Sequence, residues 1–149
     1  SSASVSWLNG PVYRDSCVEW FFAPGRDRTP YFNFEINCIG TYILGWGRDR
    51  NRRMRVPRSL ADLISVETAI EGTHKSPAPE DDQWWVAVSL PFETLAAFSG
   101  RDIAPTAGTV WTGNFQRLGG DSELAAWSNI DTVAPEFHSP ASFEELTFG

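Results

Sequence analysis

The run Tyr31 to Ile39, Tyr-Phe-Asn-Phe-Glu-Ile-Asn-Cys-Ile, constrains the fold more than any other segment. Phe32, Phe34, Ile36 and Cys38 alternate with Asn33, Glu35, Asn37 and Ile39. Successive strand residues point to opposite faces, so this period of two predicts a strand with one wetter face. Just upstream, Ser16–Ala23 (SCVEWFFA) is β-branched and aromatic and stops at Pro24-Gly25. With the loop Gly25–Pro30 between them, the two runs predict an antiparallel hairpin. Gly40 reads as a bulge or bend, after which the strand continues through Leu44 to Gly45.

The rest of the chain repeats the theme in shorter pieces. Leu60–Ile70 predicts one or two short strands around Val66, and His74–Gln83 is a polar loop containing proline. Trp84–Leu90, Val110–Leu118 and Phe143–Phe148 read as strands, and Ala125–Ser128 starts another. Pro91-Phe92 leads into one short helical turn, Glu93–Phe98, closed by Gly100, and Ala134–Pro140 reads as loop. Many short strands with Gly/Pro punctuation and no long amphipathic helix predict a single all-β domain, an antiparallel β-sandwich with very little helix. Residues 1–12 carry no strong structural signal and are expected to be disordered or a remnant of processing.

Composition narrows the function. The chain holds seven Trp, ten Phe and three Tyr among 149 residues, enough for a heavy core, for a platform under flat apolar ligands, or for both. A net charge of −7 opposes binding to polyanions. Arg48, Arg50, Arg52, Arg53, Arg55 and Arg58 run against that average, but no aromatic is interleaved, so they read as a solvated loop. Nucleic acid is not an expected partner. No apolar run approaches the roughly 20 residues that span a bilayer. Cys17 and Cys38 are too few for a disulfide scaffold and are expected to be buried thiols.

The catalytic signatures are sparse. His74 and His138 are the two histidines, and neither sits in a triad-like setting, since Ser139 beside His138 has no elbow motif. The two Cys lack zinc spacing, and Gly45-Trp46-Gly47 is not followed by the helix that a phosphate loop needs. Glu19 and Glu35 differ, because the proposed hairpin brings its two arms together. They can be read as a glycosidase pair, as acceptors for sugar hydroxyls, or as structural groups on a polar sheet face.

Asp15-Ser16-Cys17-Val18-Glu19 before an apolar strand, followed by Tyr31 through Asn37, resembles the family 9 carbohydrate-binding modules and their DOMON-like, jelly-roll-like β-sandwich relatives. Trp85 through Phe92, Trp111 through Arg117, Trp127-Ser128 and Phe137-His138-Ser139-Pro140 agree with it in order. The resemblance implies non-catalytic binding of an oligo- or polysaccharide, with the sugar between two aromatic faces matched here by Tyr13 and Trp127. Glu19, Glu35 and Arg117 fall where such modules read hydroxyls. Tyr13 stands in place of the usual Trp, and Glu35 in place of a residue that is often basic.

The resemblance also implies a bacterial protein that is secreted, periplasmic or at the cell surface, with calcium as an occasional structural ion and no other cofactor. The same resemblance implies further strands ahead of the Asp15–Glu19 segment, so either a preceding segment or a second chain covers exposed sheet edges or the domain is an unusually compact variant. Two alternatives remain at this level: a glycoside-active enzyme using Glu19 and Glu35, and an interaction domain that has lost sugar affinity.

Overall fold

The computed structural model describes residues 2–70, 83–119, 123–133 and 136–149. The loop from His74 therefore lies outside the described residues, except for Gln83. The architecture is all-β, with helix at 14%. The main sheet is built from β1 (Cys17–Ala23), β2 (Tyr31–Asn37), β3 (Tyr42–Gly47), β4 (Met54–Arg55), β7 (Val110–Gly119), β8 (Glu123–Ala126) and β9 (Glu144–Thr147). Its order is β4-β3-β2-β1-β7-β8, with β9 also on β7, and every pairing is antiparallel. The predicted hairpin is β1–β2, in a register that sets Glu19 opposite Glu35.

The second layer is smaller. It comprises the hairpin of β5 (Ser65–Thr68) and β6 (Val86–Ser89), with α1 (Arg58–Ala61) and α2 (Phe92–Ser99). Between the layers Phe22, Phe32, Phe34, Ile36, Leu44, Trp46 and Trp111 meet Ala61, Ile64, Leu95 and Phe98. This is the aromatic core that the odd-even pattern requires. On the opposite face lie two small apolar clusters, Val5-Val12-Cys17-Ile43 and Phe21-Ala23-Tyr31-Phe143. Between these clusters the sheet is polar.

Four expectations are corrected. Gly40 is the bend of the two alternatives rather than the bulge, and with φ at +82° it belongs to a reversing turn that divides the expected run into two strands. That left-handed conformation suits glycine, and Asn37 closes the turn by accepting from Thr41 N at 2.9 Å. Leu60 belongs to the single turn of α1, because Pro57 starts a helix there. The strand expected at Ala125–Ser128 instead ends at Ala126. Finally, residues 2–12 are tied down. Asp15 accepts from Ser4 N (2.9 Å) and Val5 N (3.0 Å), and Asn37 Nδ2 bridges Asp15 and the Val5 carbonyl.

Cys17 and Cys38 are buried thiols. The register pairs Cys17 with Asn37, so Cys38 falls one residue out of step. Burial pushes the Cys17 thiol well above its usual pKa, and Glu19 and Glu35 add to the shift, which keeps it unreactive.

Candidate functional site

The polar waist of the sheet lies at a cleft of about 390 Å³ lined by Tyr13, Glu19, Phe21, Glu35, Arg50, Arg55, Leu118, Leu124, Glu136, Phe137 and His138. Three of the five residues expected from sequence meet here. Glu19 and Glu35 form the floor, each 5% exposed, because odd-numbered positions of β1 and β2 share this face. Tyr13 stands on the rim, 47% exposed. The 3-10 turn Val12–Arg14 holds it there, anchored by the fully buried Val12.

Arg117 and Trp127 are placed elsewhere. Arg117 pairs with Val18, not with a residue of the Glu19 face, and its guanidinium bonds the exposed Glu123 at 2.9 Å. Trp127 packs edge-on against Phe115, which stacks over Trp20. Both therefore sit on the other side of the sheet from the cleft. The physical reason is parity: one residue along a strand moves a side chain to the opposite face.

The floor is organised by a chain of contacts. Asn33 donates from Nδ2 to Glu35 Oε1 at 2.7 Å and accepts from Arg53 Nε at 2.7 Å. Arg53 donates from Nη2 to the Tyr31 carbonyl at 2.7 Å, and its guanidinium lies 4.2 Å over the Tyr31 ring. The Tyr31 hydroxyl meets His138 Nδ1 at 2.7 Å. At the rim, Arg50 pairs with Glu136 at 2.7 Å, and Glu136 accepts from His138 N at 2.9 Å. Gly45 makes the crossing possible, since a Cβ there would lie 2.3 Å from Asn33 Oδ1 and 2.9 Å from Arg55 Nη1.

The arginine run read as a solvated loop is thus partly cleft surface: Arg50 and Arg55 line the cleft and Arg53 braces its floor. Phe137 entered the sequence analysis as part of a terminal motif, and His138 there and as a discounted triad histidine, yet both line the cleft. Nothing local marks them. Their signal lies in the fold, where the connection from Trp127 to Phe143 leaves and re-enters the same sheet.

Burial dominates the electrostatics. It raises the Glu19 carboxyl well above its usual range, with the neighbouring Glu35 charge adding to the effect. Glu35 is also raised by burial, but the Asn33 bond and the Arg55 and Arg53 charges oppose the shift. Burial lowers His138 to about 4, with Arg53 adding, so the ring is neutral near pH 7. Tyr31 is pushed up to about 12 by burial and keeps its proton. The tautomer of the neutral ring decides the direction of the Tyr31–His138 bond: a proton on Nε2 leaves Nδ1 to accept from the Tyr31 hydroxyl, and a proton on Nδ1 donates to it.

Three buried side chains of this face hold atoms with no hydrogen-bond partner: Oε2 of Glu19, Oε2 of Glu35, and both amide atoms of Gln116, which stands opposite Glu19 in register. Buried polar groups are normally satisfied by protein or by ordered water, so such a cluster is a place that takes a polar partner, water included. The model for carbohydrate-binding family 9 matches residues 1–148. The chain belongs to carbohydrate-binding family 9. A crystal structure of a candidate carbohydrate-binding protein from Bacteroides uniformis is 28% identical, with a TM-score of 0.85, and the match covers 99% of this chain and 67% of that one. No curated protein matches the chain.

Calcium is implied by the resemblance alone. Among the described residues no group of three or more His, Cys, Asp or Glu could hold a metal ion. Asp15, a buried acid of the family-like motif, already spends both oxygens on Ser4, Val5 and Asn37. No helix among the described residues is long and apolar enough to cross a membrane.

Proposed function

We propose that this family 9 domain binds an oligo- or polysaccharide without cleaving it, holding one sugar ring in the cleft between Tyr13 and Phe137. A pyranose face of C–H groups packs on an aromatic ring, and its hydroxyls meet Glu19, Glu35 and the neutral imidazole of His138. The observation that carries this reading is the half-exposed aromatic rim over two buried carboxyl groups with unpartnered oxygens. A few hydrogen bonds at about 1 kcal/mol net each, with stacking, give micromolar-to-millimolar affinity. A polysaccharide ligand fits a bacterial protein that works outside the cell or on its surface.

The second reading is a glycoside-active enzyme using Glu19 and Glu35, which stand opposite each other in register on the cleft floor. Glycan-array screening followed by calorimetry tests the reading. Tyr13→Ala and Phe137→Ala should each weaken binding by about tenfold or more, roughly the value of one lost stacking face. Binding that survives both changes but is lost in Trp127→Ala would move the site to the other face. Hydrolysis of any bound glycan would overturn the non-catalytic reading.

A further inference from the structure

Sugar binding alone does not require two acids in direct cross-strand register. Opposed residues in an antiparallel pair have Cβ atoms about 4.5–5.5 Å apart, and like charges there are destabilising. Burial penalises the ionised forms further. Glu19 and Glu35 meet both conditions.

Their surroundings are unequal. From β2, Asn33 donates to Glu35; from β4 and the turn before it, Arg55 and Arg53 set positive charge against Glu35. Glu19 faces uncharged Gln116 from β7, with the Cys17 thiol on its own strand. Around the rim stand Tyr13 from the 3-10 turn, Arg50 bound to Glu136, and a neutral His138. Compensation is thus concentrated on one partner, while each acid keeps an unpartnered Oε2.

Resting on the carbohydrate reading, we propose that Glu19 and Glu35 hold one proton between them, Glu19 as the acid and Glu35 as the carboxylate, and that this mixed pair selects an uncharged vicinal diol. Glu19 donates to one hydroxyl oxygen, and the neighbouring hydroxyl donates to Glu35. A fully ionised pair offers two acceptors and no donor, and it carries the repulsion that the proton removes. An ammonium-bearing sugar has to expel the proton, and a uronate meets the Glu35 charge. The bound state therefore retains a proton that the free cleft loses as pH rises. Linkage then makes affinity for a neutral glycan fall by about tenfold per pH unit above the apparent pKa of the free pair.

The test uses the full chain and three probes of similar length: a neutral oligosaccharide taken from the array, a deacetylated chito-oligosaccharide, and an oligogalacturonate. Calorimetry between about pH 5 and pH 9 brackets the range in which a raised carboxyl loses its proton. The expected result is preference for the neutral probe, an alkaline fall of about tenfold per unit, and flattening of that fall in Glu19→Gln, whatever its absolute affinity. Infrared spectra of the ligand-free protein at neutral pH should show a protonated carboxyl band that Glu19→Gln removes. If glycans bind with a flat pH profile, or a charged probe binds best, the shared-proton proposal fails and the carbohydrate reading stands. Absence of the infrared band overturns the proposal even if Glu19→Gln fails to fold. If no glycan binds at any pH, the carbohydrate reading fails and takes the diol selection with it.

Discussion

Phe22, Phe32 and Trp111 on one side of the central strands, and Glu19, Glu35 and Gln116 on the other, come from the same three strands and are similarly buried. The first set is completed by its neighbours: Phe22 stacks on Phe32 at 5.0 Å and on Trp111 at 5.6 Å between ring centroids. The second set leaves carboxylate and amide atoms without hydrogen bonds. The ring stack of one face is therefore closed by the chain itself, although Trp20 on that face keeps a buried Nε1 without a partner and a pocket of about 540 Å³ opens beside Trp20, Trp111 and Phe115. The other face carries its unpaired groups on carboxyl and amide side chains, a division of chemistry made by strand alternation.

Substitutions on each face test how far that division holds. The largest effect is expected from Phe22→Ala, which should cost about 3–5 kcal/mol in chemical denaturation, as large-to-small core changes do. Glycan affinity of the fraction still folded should be unchanged. A cost under about 1 kcal/mol would mean the aromatic face is not the main core. Next comes Gly45→Ala, whose Cβ would collide with Asn33 Oδ1. It should cost about 1–3 kcal/mol and remove binding as well, because Asn33 and Arg53 order the floor. Retained affinity would show that this bracing is not needed.

Acidity should separate two kinds of group within the cleft face by sign. His138 is held at about 4 when folded, below an unfolded value near 6.5. Its stabilising contribution is present above pH 6.5 and is lost as pH falls towards 4, on the order of 2 kcal/mol after some screening. His138→Gln should remove that acid-side loss from a pH series of melting curves. Glu19 and Glu35 act oppositely. Their folded values are raised by burial, so their contribution is greatest in acid and is lost as pH rises through those values. Glu19→Gln should raise Tm more at alkaline than at acid pH, and an equal shift at both would contradict the assignment.

The smallest stability effects are expected from two half-exposed aromatics on opposite faces, Tyr13 and Trp127, at 47% and 56% exposure. Either change to Ala should cost roughly 1 kcal/mol or less, little being buried. Only Tyr13→Ala should alter glycan binding. Melting temperature and affinity measured on both variants would show whether face or exposure governs the outcome.

The alternation in Tyr31–Ile39 made the strand and its wet face legible, and the aromatic run before Pro24 made the hairpin legible. Together they brought Glu19 and Glu35 into one neighbourhood before any coordinate was known. Arg117 and Trp127 were out of reach for the same reason that the pair was within it. They lie where parity depends on the pairing of β7 with β1 and on where β8 ends, and neither can be counted from local pattern. Arg53 and Arg55 looked solvated because their partners, Asn33 and Glu35, are about twenty residues away across two strands. Gly40 left bulge and bend open because a glycine in a strand pattern fits both equally well, and the reversal into a second strand is not written locally.

β7 accepts β8 along Gln116–Gly119 and β9 along Val110–Gly113, both on the edge away from β1. The joint between them is clamped: Asn114 exchanges two hydrogen bonds with the Ser128 backbone, and the Ser128 hydroxyl bonds the Ser142 carbonyl. The segment between Ser128 and Ser142, with Phe137 and His138 on it, therefore begins and ends at one fixed gate. A substitution at Phe137 or His138 can therefore reshape the cleft wall while the anchors at Ser128 and Ser142 and the register of the strands stay as they are.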